Sequence, residues 1–170
     1  MKDVVQVEEF GNMKTKFVTL LIILIFFLDQ LTKRVIDQAL TLKQSITILP
    51  NILYFTKAYN TGASFSILRG FSWFFILFAI LVIIVVIYYY KKIPVNNRLF
   101  IAFILAGTLG NLVDRLQYGY VIDGIDFKIW PVFNIADTAV CIGAAGLIYY
   151  ILKDDKPKKK VSKNKIKKKK

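Results

Sequence analysis

Four stretches of the chain are apolar over enough consecutive residues to cross a lipid bilayer as α-helices. Phe17–Leu28 is uninterrupted and reaches the required length of about 20 residues when it is extended to Val35. Phe71–Tyr90 carries no charged residue, and Leu99–Val113 and Phe133–Leu152 are the third and fourth stretches. The pattern therefore predicts an all-α membrane fold, a four-transmembrane-helix bundle.

The segments between these helices are two outer loops, at about 37–70 and 117–132, and a short basic connector. In the first loop, residues 46–55 are rich in β-branched and aromatic side chains and are interrupted by a turn at Pro50–Asn51. In the second loop, Val121–Asp123 is β-branched and favours an extended backbone. We therefore predict a small β-sheet outside the membrane.

Composition and charge refine this picture. The chain is 56% hydrophobic, its mean hydropathy is +0.52, and its net charge of +13 is concentrated outside the helices. The connector 91–98 and the Lys-rich tail 153–170 are basic, the N-terminal segment 1–16 carries three lysines and three acidic residues, and four spans place all three segments on one side. The positive-inside tendency assigns that side, with both termini, to the cytoplasm. The tail is expected to be disordered and either solvated or bound to anionic lipid, with no nucleic-acid partner.

Several enzyme classes are excluded because the sequence contains no histidine. Ser-His-Asp and Cys-His catalysis and histidine-bound zinc are therefore absent. Hydrolysis would have to use carboxylates, lysine, or a bare serine or threonine. Charged side chains within membrane helices are costly and mark function by default, and three such clusters lie at helix ends facing the outer side.

The first two clusters have the spacing of one helix face. Asp29 and Lys33 are four residues apart, in the acid-before-base order that favours an ion pair. Asn111 shares a face with Asp114 and Arg115, and we expect Arg115 to hold Asp114 ionised. Both clusters are compatible with a purely structural role or with support of a nearby site.

The third cluster contains the best candidate for a proton-transferring acid. Asn134 and Asp137 lie three residues apart in apolar surroundings, although an acid there could also serve only the helix dipole. Carboxylate-based peptide hydrolysis needs two acids that share one proton around a water molecule. Asp114, Asp123 and Asp126 are the possible partners, and spacing alone leaves Asp123 only slightly ahead. The interpretation is a polytopic membrane aspartyl protease.

Taken together, five segments of the sequence resemble the lipoprotein signal peptidase family, also called signal peptidase II. They occur in the family's order and are distributed along the predicted membrane domain 17–152. The segments are DQLTK (29–33), NTGASFSIL (60–68), GTLGNLVDRL (107–116), VIDGIDF (121–127) and FNIAD (133–137). Each segment alone is weak, but five in register are specific. The resemblance implies four membrane helices with a small extracytoplasmic sheet, and a short interfacial helix before the acid segment.

The resemblance also implies a function. The family's catalytic dyad falls on Asp123 and Asp137, and its supporting or substrate-binding positions are Asp29, Lys33, Asn60, Asn111, Asp114, Arg115 and Asn134. The implied substrate is a diacylglyceryl-prolipoprotein, cut before the lipidated cysteine at the outer face of the bacterial cytoplasmic membrane. No metal or other cofactor is implied, and the family usually acts as a monomer among membrane lipids.

Two alternatives belong to other classes. A small ion- or proton-coupled transporter would also carry intramembrane acids and asparagines. Its acids, however, are expected near the middle of the membrane between repeated or broken helices. A non-enzymatic membrane anchor that presents the lysine tail would leave the buried acids unexplained.

Overall fold

The computed structural model contains four α-helices and a three-stranded sheet. It describes the backbone of residues 2–62 and 70–154 and the side chains of residues 15–62, 70–95 and 97–153. The helices are α1 (Lys2–Ala39), α2 (Ser72–Tyr89), α3 (Arg98–Tyr118) and α4 (Ile135–Asp154). Each contains a stretch long and apolar enough to span a membrane, with mean hydropathy between 1.6 and 2.7. The predicted four-helix membrane bundle is therefore confirmed.

The sheet is antiparallel with strand order β1-β2-β3, from β1 (Ser45–Leu49), β2 (Leu53–Asn60) and β3 (Val121–Asp126). The turn predicted at Pro50–Asn51 joins the first two strands, and β3 adds to the far edge of β2. Ala58 pairs with Asp123 and Asn60 with Val121. The second loop thereby delivers one of the candidate acids into a strand whose position is fixed by hydrogen bonds.

α3 lies at the centre of the bundle because small residues let its neighbours approach closely. Ala102 and Ala106 are fully buried. A Cβ on Gly107 would overlap the carbonyl group of Ala136, and one on Gly110 would overlap the Asp29 carboxylate. The stripe of small side chains that the sequence shows along α3 therefore brings polar groups of α1 and α4 into contact with the helix.

The start of α4 is tied directly to β3. The amides of Gly124 and Ile125 donate to the carbonyl of Phe133, at 3.0 and 2.8 Å, and the amide of Phe133 donates back to Ile125 at 3.0 Å. These bonds close the loop between the two candidate acids. The N-terminus of α4 is thus held beside the strand that carries Asp123.

The prediction of a short interfacial helix before the acid segment is wrong. In this described part of the chain α3 itself continues to Tyr118, and only Gly119 and Tyr120 separate it from β3. Gly119 ends the helix with a left-handed backbone (φ 78°) that glycine adopts without strain. The chain therefore turns from helix into strand with no room for another helix.

The structure describes the N-terminal segment of the chain but little of the C-terminal tail. α1 begins at Lys2, so the helix includes residues 2–16 of the N-terminal segment, and no proline interrupts it. Most of the lysine-rich tail, from residue 155, lies outside the described residues. So does 63–69, which holds most of the NTGASFSIL segment.

Candidate active site

The first turn of α4 carries a reciprocal cap made by Asn134 and Asp137. The amide of Asp137 donates to Asn134 Oδ1 at 2.8 Å, and the amide of Asn134 lies 3.4 Å from Asp137 Oδ2. This is a capping box, in which the residue before a helix and the third residue inside it satisfy each other's amide groups. The Asn-x-x-Asp spacing was visible in the sequence and could have identified it.

Asp123 is held by two neutral side-chain amides. Asn134 Nδ2 donates to Asp123 Oδ1 at 2.7 Å, and Asn60 Nδ2 donates to Asp123 Oδ2 at 3.2 Å. Burial raises the pKa of the Asp123 carboxyl group to about 7; the negative charge of Asp137 adds to the rise, and the two amide hydrogen bonds oppose it. Asp123 therefore retains a proton near neutral pH.

Asn111 connects Asp137 to the same network. Its Nδ2 donates to Asp137 Oδ1 at 2.8 Å, while its Oδ1 accepts from Asn134 Nδ2 at 3.1 Å and from Lys33 Nζ at 3.0 Å. Two donors on one oxygen fix which end of the amide is the carbonyl. Asn111 therefore presents an N–H group, and not an acceptor, to Asp137.

Behind the amides lies a buried ionic cluster. Lys33 Nζ is 2.8 Å from Asp29 Oδ2 and 3.0 Å from Asp114 Oδ2, and all three residues are at most 3% exposed. Together with Asn111, these acceptors use all three ammonium donors. The predicted Asp29–Lys33 pair is thus confirmed, as part of a larger cluster.

Asp29 also caps α4 from a distance of more than one hundred residues along the chain. Its Oδ1 accepts the amide of Ala136 at 2.8 Å. The free amides of a helix N-terminus favour negative charge, so this buried carboxylate stabilises the turn that carries Asp137. The cluster therefore sets both the position of α4 and the orientation of Asn111.

The predicted pairing of Asp114 with Arg115 is wrong. Among the described ion pairs Asp114 contacts Lys33, and it also accepts the amide of Ile122 at 3.1 Å. Arg115 Nη2 instead donates to the carbonyl of Gly62 at 2.9 Å. Successive residues of a helix do not face each other, so these two side chains contact different neighbours of α3.

Gln30 is a member of the network that the sequence reasoning missed. Its Nε2 donates to Asp114 Oδ1 at 3.0 Å and to the carbonyl of Gly110 at 3.2 Å. Glutamine is common on helix surfaces, and only the position of Gln30 next to Asp29 in the DQLTK segment indicated that it could take part in the network. Its side chain fixes α1 against α3 next to the ionic cluster.

Asp126, the third candidate partner of Asp137, is engaged elsewhere. Thr56 Oγ1 and Lys128 Nζ each donate to Asp126 Oδ2 at 2.7 Å. Burial alone would raise the pKa of this carboxyl group, but the hydrogen bonds from Lys128 and Thr56 outweigh it and hold the pKa below its usual value. Asp126 is therefore an ionised acid outside the network around Asp137.

Asp137 faces a cleft between α2, α3 and α4, with a volume of about 260 Å³. Asn60, Asn111 and Arg115 line it on the polar side, and the apolar side comes from Phe75, Phe78, Ala79, Val82, Val140 and Cys141. Nowhere in the described residues do three or more His, Cys, Asp or Glu side chains form a group that could hold a metal ion. The arrangement provides a buried acid, Asp123, and a half-buried acid, Asp137, beside an amphipathic cleft at one end of a helical bundle.

Comparisons with a family model, with related sequences and with solved structures agree with one another. Residues 21–153 match the family model described as signal peptidase (SPase) II. The lipoprotein signal peptidase of Halothermothrix orenii is 38% identical over 141 residues, which cover 82% of this chain and 97% of that protein. The enzyme of the same name from Alteromonas mediterranea is 42% identical over 142 residues, or 77% and 78% of the two chains.

Two solved structures of bacterial membrane enzymes, determined by the in meso method, share the fold. One has a TM-score of 0.81 at 34% identity and covers 85% of this chain and 93% of its own. The other has a TM-score of 0.75 at 33% identity, with coverages of 82% and 94%. With the family model matching most of the sequence, this chain belongs to the signal peptidase II family.

Proposed function

We propose that Asp123 and Asp137 form the catalytic dyad with which this chain, a membrane aspartic-type endopeptidase of the signal peptidase II family, removes signal peptides from prolipoproteins. The observation that carries the proposal is the contrast among the acids. Asp29, Asp114 and Asp126 each contact a lysine ammonium group. Asp123 and Asp137 are instead linked through Asn134 and accept hydrogen bonds from neutral amides, which leaves both acids free to exchange a proton.

The chemistry follows from two acids that hold one proton between them. The ionised acid takes a proton from a water molecule as the water attacks the peptide carbonyl, and the protonated acid donates to the carbonyl oxygen. The roles reverse as the amine leaves. The pKa of Asp123, at about 7, supports a proton retained near neutrality, and the pair titrates as a unit.

The remaining polar residues are proposed to position the dyad and the substrate. Asn134 and Asn111 orient the two acids through hydrogen bonds of 2.7 and 2.8 Å. Asn60 donates to Asp123, and its own Oδ1 accepts the amide of Gly62. Arg115 holds the same turn through the Gly62 carbonyl, which supports a role at the entrance to the cleft. The cluster of Asp29, Lys33 and Asp114 fixes the helices on which these side chains stand.

The substrate is proposed to be a prolipoprotein whose cysteine already carries diacylglycerol, with cleavage on the N-terminal side of that cysteine. The proposed orientation has both termini in the cytoplasm and the dyad at the outer face of the bacterial cytoplasmic membrane. The basic connector between α2 and α3 supports it, because Lys91, Lys92 and Arg98 lie at the end of the bundle away from the sheet. The chain is proposed to act as a monomer, as the resemblance to the family implies.

The test is processing of a diacylglyceryl precursor by the purified protein in lipid vesicles, read as signal-peptide release on a gel. Asp123→Asn and Asp137→Asn should each abolish release, while Asp126→Asn should retain it. Asp126 is the matched control because it lies on the same strand as Asp123 but outside the network. Circular dichroism should show equal helix content in all variants. Full activity in either dyad variant would remove that residue from the proposed pair.

The alternative of an ion- or proton-coupled transporter is not supported by the comparisons. The acids also lie at one end of the bundle, whereas transporter sites lie near the middle of the membrane.

A further inference from the structure

A second cavity lies on the other side of the dyad from the catalytic cleft. We call it the α1–sheet groove; its volume is about 340 Å³, and it is lined by α1, by β2 and β3, and by the start of α4. Apart from Lys33, Thr32 and Asn134, its lining is apolar, with Leu31, Val35, Phe55 and Ile135 as the larger side chains. The groove and the catalytic cleft share no lining residue.

The groove is reachable from the lipid. Leu31 and Val35 are 44% and 56% exposed, and they continue a stripe of exposed apolar side chains that runs up α1. The sheet roofs the groove with an apolar face, on which Phe55 pairs with Ile46 on one side and Ile125 on the other. Side chains of this kind, exposed beside a membrane helix, are suited to contact with hydrocarbon chains.

The inner end of the groove meets the catalytic network. Asn134, which lines the groove, donates to Asp123, and Gly124, which also lines it, follows Asp123 in β3. Lys33 lines the groove and donates to Asn111 on the cleft side. The amides and acids therefore form a wall with the peptide cleft on one side and an apolar groove on the other.

We infer that the α1–sheet groove holds one acyl chain of the substrate's diacylglyceryl group; the inference rests on the function proposed above. In that substrate the lipid is attached to the residue directly after the cleaved bond. The peptide and the acyl chain therefore separate at the position of the dyad, where the two cavities also separate. The groove supplies a place for one acyl chain outside the cleft that the peptide occupies.

The expected contribution of the groove is orientation and not hydrophobic transfer. An acyl chain is already in an apolar solvent in the bilayer, so entering the groove gives little transfer free energy. A chain held there would instead fix the glyceryl-cysteine, and with it the scissile bond, relative to Asp123. Misplacement of a reacting group by about 1 Å costs on the order of a hundredfold in rate, so orientation alone carries a measurable effect.

The test fills the groove and leaves the rest of α1 unchanged. Leu31→Trp and Val35→Trp place a large side chain in the groove, and Leu24→Trp is the matched control. Leu24 is 50% exposed on the same stripe of α1 and does not line the groove. Each protein is assayed in vesicles with precursors that carry either two palmitoyl or two hexanoyl chains, after circular dichroism has shown equal folding.

Both groove variants should lower kcat/KM for the palmitoyl precursor roughly tenfold to a hundredfold relative to Leu24→Trp, and they should affect the hexanoyl precursor less. Equal kinetics in groove and control variants would overturn the inference while the wild type still processes precursor, which keeps the proposed function. A wild type that releases no signal peptide from either precursor would instead refute the proposed function.

A cross-linking measurement separates the substrate from bulk lipid. A precursor with a diazirine at the end of one acyl chain should label residues 31–36 of α1, and Leu31→Trp should reduce this labelling. A phosphatidylglycerol with the same diazirine chain is the comparison. If the phospholipid labels these residues and excess precursor does not displace it, the groove binds a membrane lipid and the inference fails. Labelling of α2 by the precursor would overturn it as well.

Discussion

Replacement of Lys33 by methionine tests whether the buried ionic cluster holds the site together. The side chain of Lys33 is 4% exposed, and its ammonium group lies within 3.0 Å of Asp29, Asp114 and Asn111. Methionine keeps a similar length and removes the charge, so two buried carboxylates lose their counter-charge. Removing one partner of a buried ion pair costs about 3–5 kcal/mol, and we expect Lys33→Met to destabilise the protein by that amount.

The loss should be recovered in part when one of the stranded charges is also removed. Lys33→Met combined with Asp114→Asn leaves a single uncompensated carboxylate, and contacting residues show interaction energies of roughly 0.5–3 kcal/mol. We therefore expect the double variant to be more stable than Lys33→Met alone by about 1 kcal/mol or more. Simple additivity of the two single changes would show that the lysine and the acid do not act on each other.

The assay is equilibrium unfolding in mixed micelles, followed by circular dichroism. Lys128→Met is the control, because Lys128 also contacts an aspartate, at 2.7 Å, but its side chain is 48% exposed. Asp126 is buried, but the half-exposed ammonium group of Lys128 is screened by solvent, so we expect its removal to cost only about 1 kcal/mol. If Lys33→Met and Lys128→Met unfold with the same free energy, the ionic cluster does not stabilise the bundle and the reasoning is refuted.

Three further predictions concern pH, helix packing and the tail. Activity should fall above about pH 7, because the dyad loses its shared proton near the pKa of Asp123; a kcat/KM profile that stays flat to alkaline pH would contradict this. In the folded chain Asp123 also keeps a proton that it releases at its ordinary pKa in the unfolded chain. The free energy of unfolding should therefore decrease as the pH rises from 3.8 to about 7, and the Asp123→Asn variant should lack this dependence. Gly107→Ala should destabilise the bundle by about 1–3 kcal/mol, because the new Cβ would overlap the Ala136 carbonyl. The control is Leu116→Ala, which is exposed on the same helix and should change the free energy of unfolding by no more than about 0.5 kcal/mol. Equal unfolding free energies for the two variants would argue against close packing of α3 on α4. Truncation after Asp154 should leave precursor processing unchanged in detergent, since the hydrogen-bond network described above is built from residues 29–137, and a large loss of turnover would show that the tail takes part.

The helices and the general place of the site could be predicted from the sequence because both depend on local patterns. Apolar length gave α2 and α4 within two residues of their observed ends, whereas α1 begins well before Phe17 and α3 continues past Val113 to Tyr118. The Asp29–Lys33 pair and the grouping of Asn134 with Asp137 follow from helix geometry, which the residue spacing fixes. The resemblance to the family supplied what spacing left open, the preference for Asp123 over Asp114 and Asp126.

The contacts between helices could not be predicted, because they depend on how the bundle packs. Spacing along α3 suggested Arg115 as the partner of Asp114, since no local pattern reveals that Lys33 of α1 approaches from the other side. The cap on Ala136 by Asp29 joins residues that no periodicity relates. The missing interfacial helix is a similar case, because the length of α3 and the turn at Gly119 removed the space for it.

The hydrogen bond from the Ala136 amide to Asp29 has a consequence for biogenesis. It joins the first membrane helix to the last, so a nascent chain that has inserted α1, α2 and α3 still lacks the turn that presents Asp137. When α4 enters the bilayer, the capping of its first turn is completed only as it docks beside α1. Proteolytic competence should therefore arise in a single late step of assembly, and partly inserted chains should be inert toward neighbouring membrane proteins.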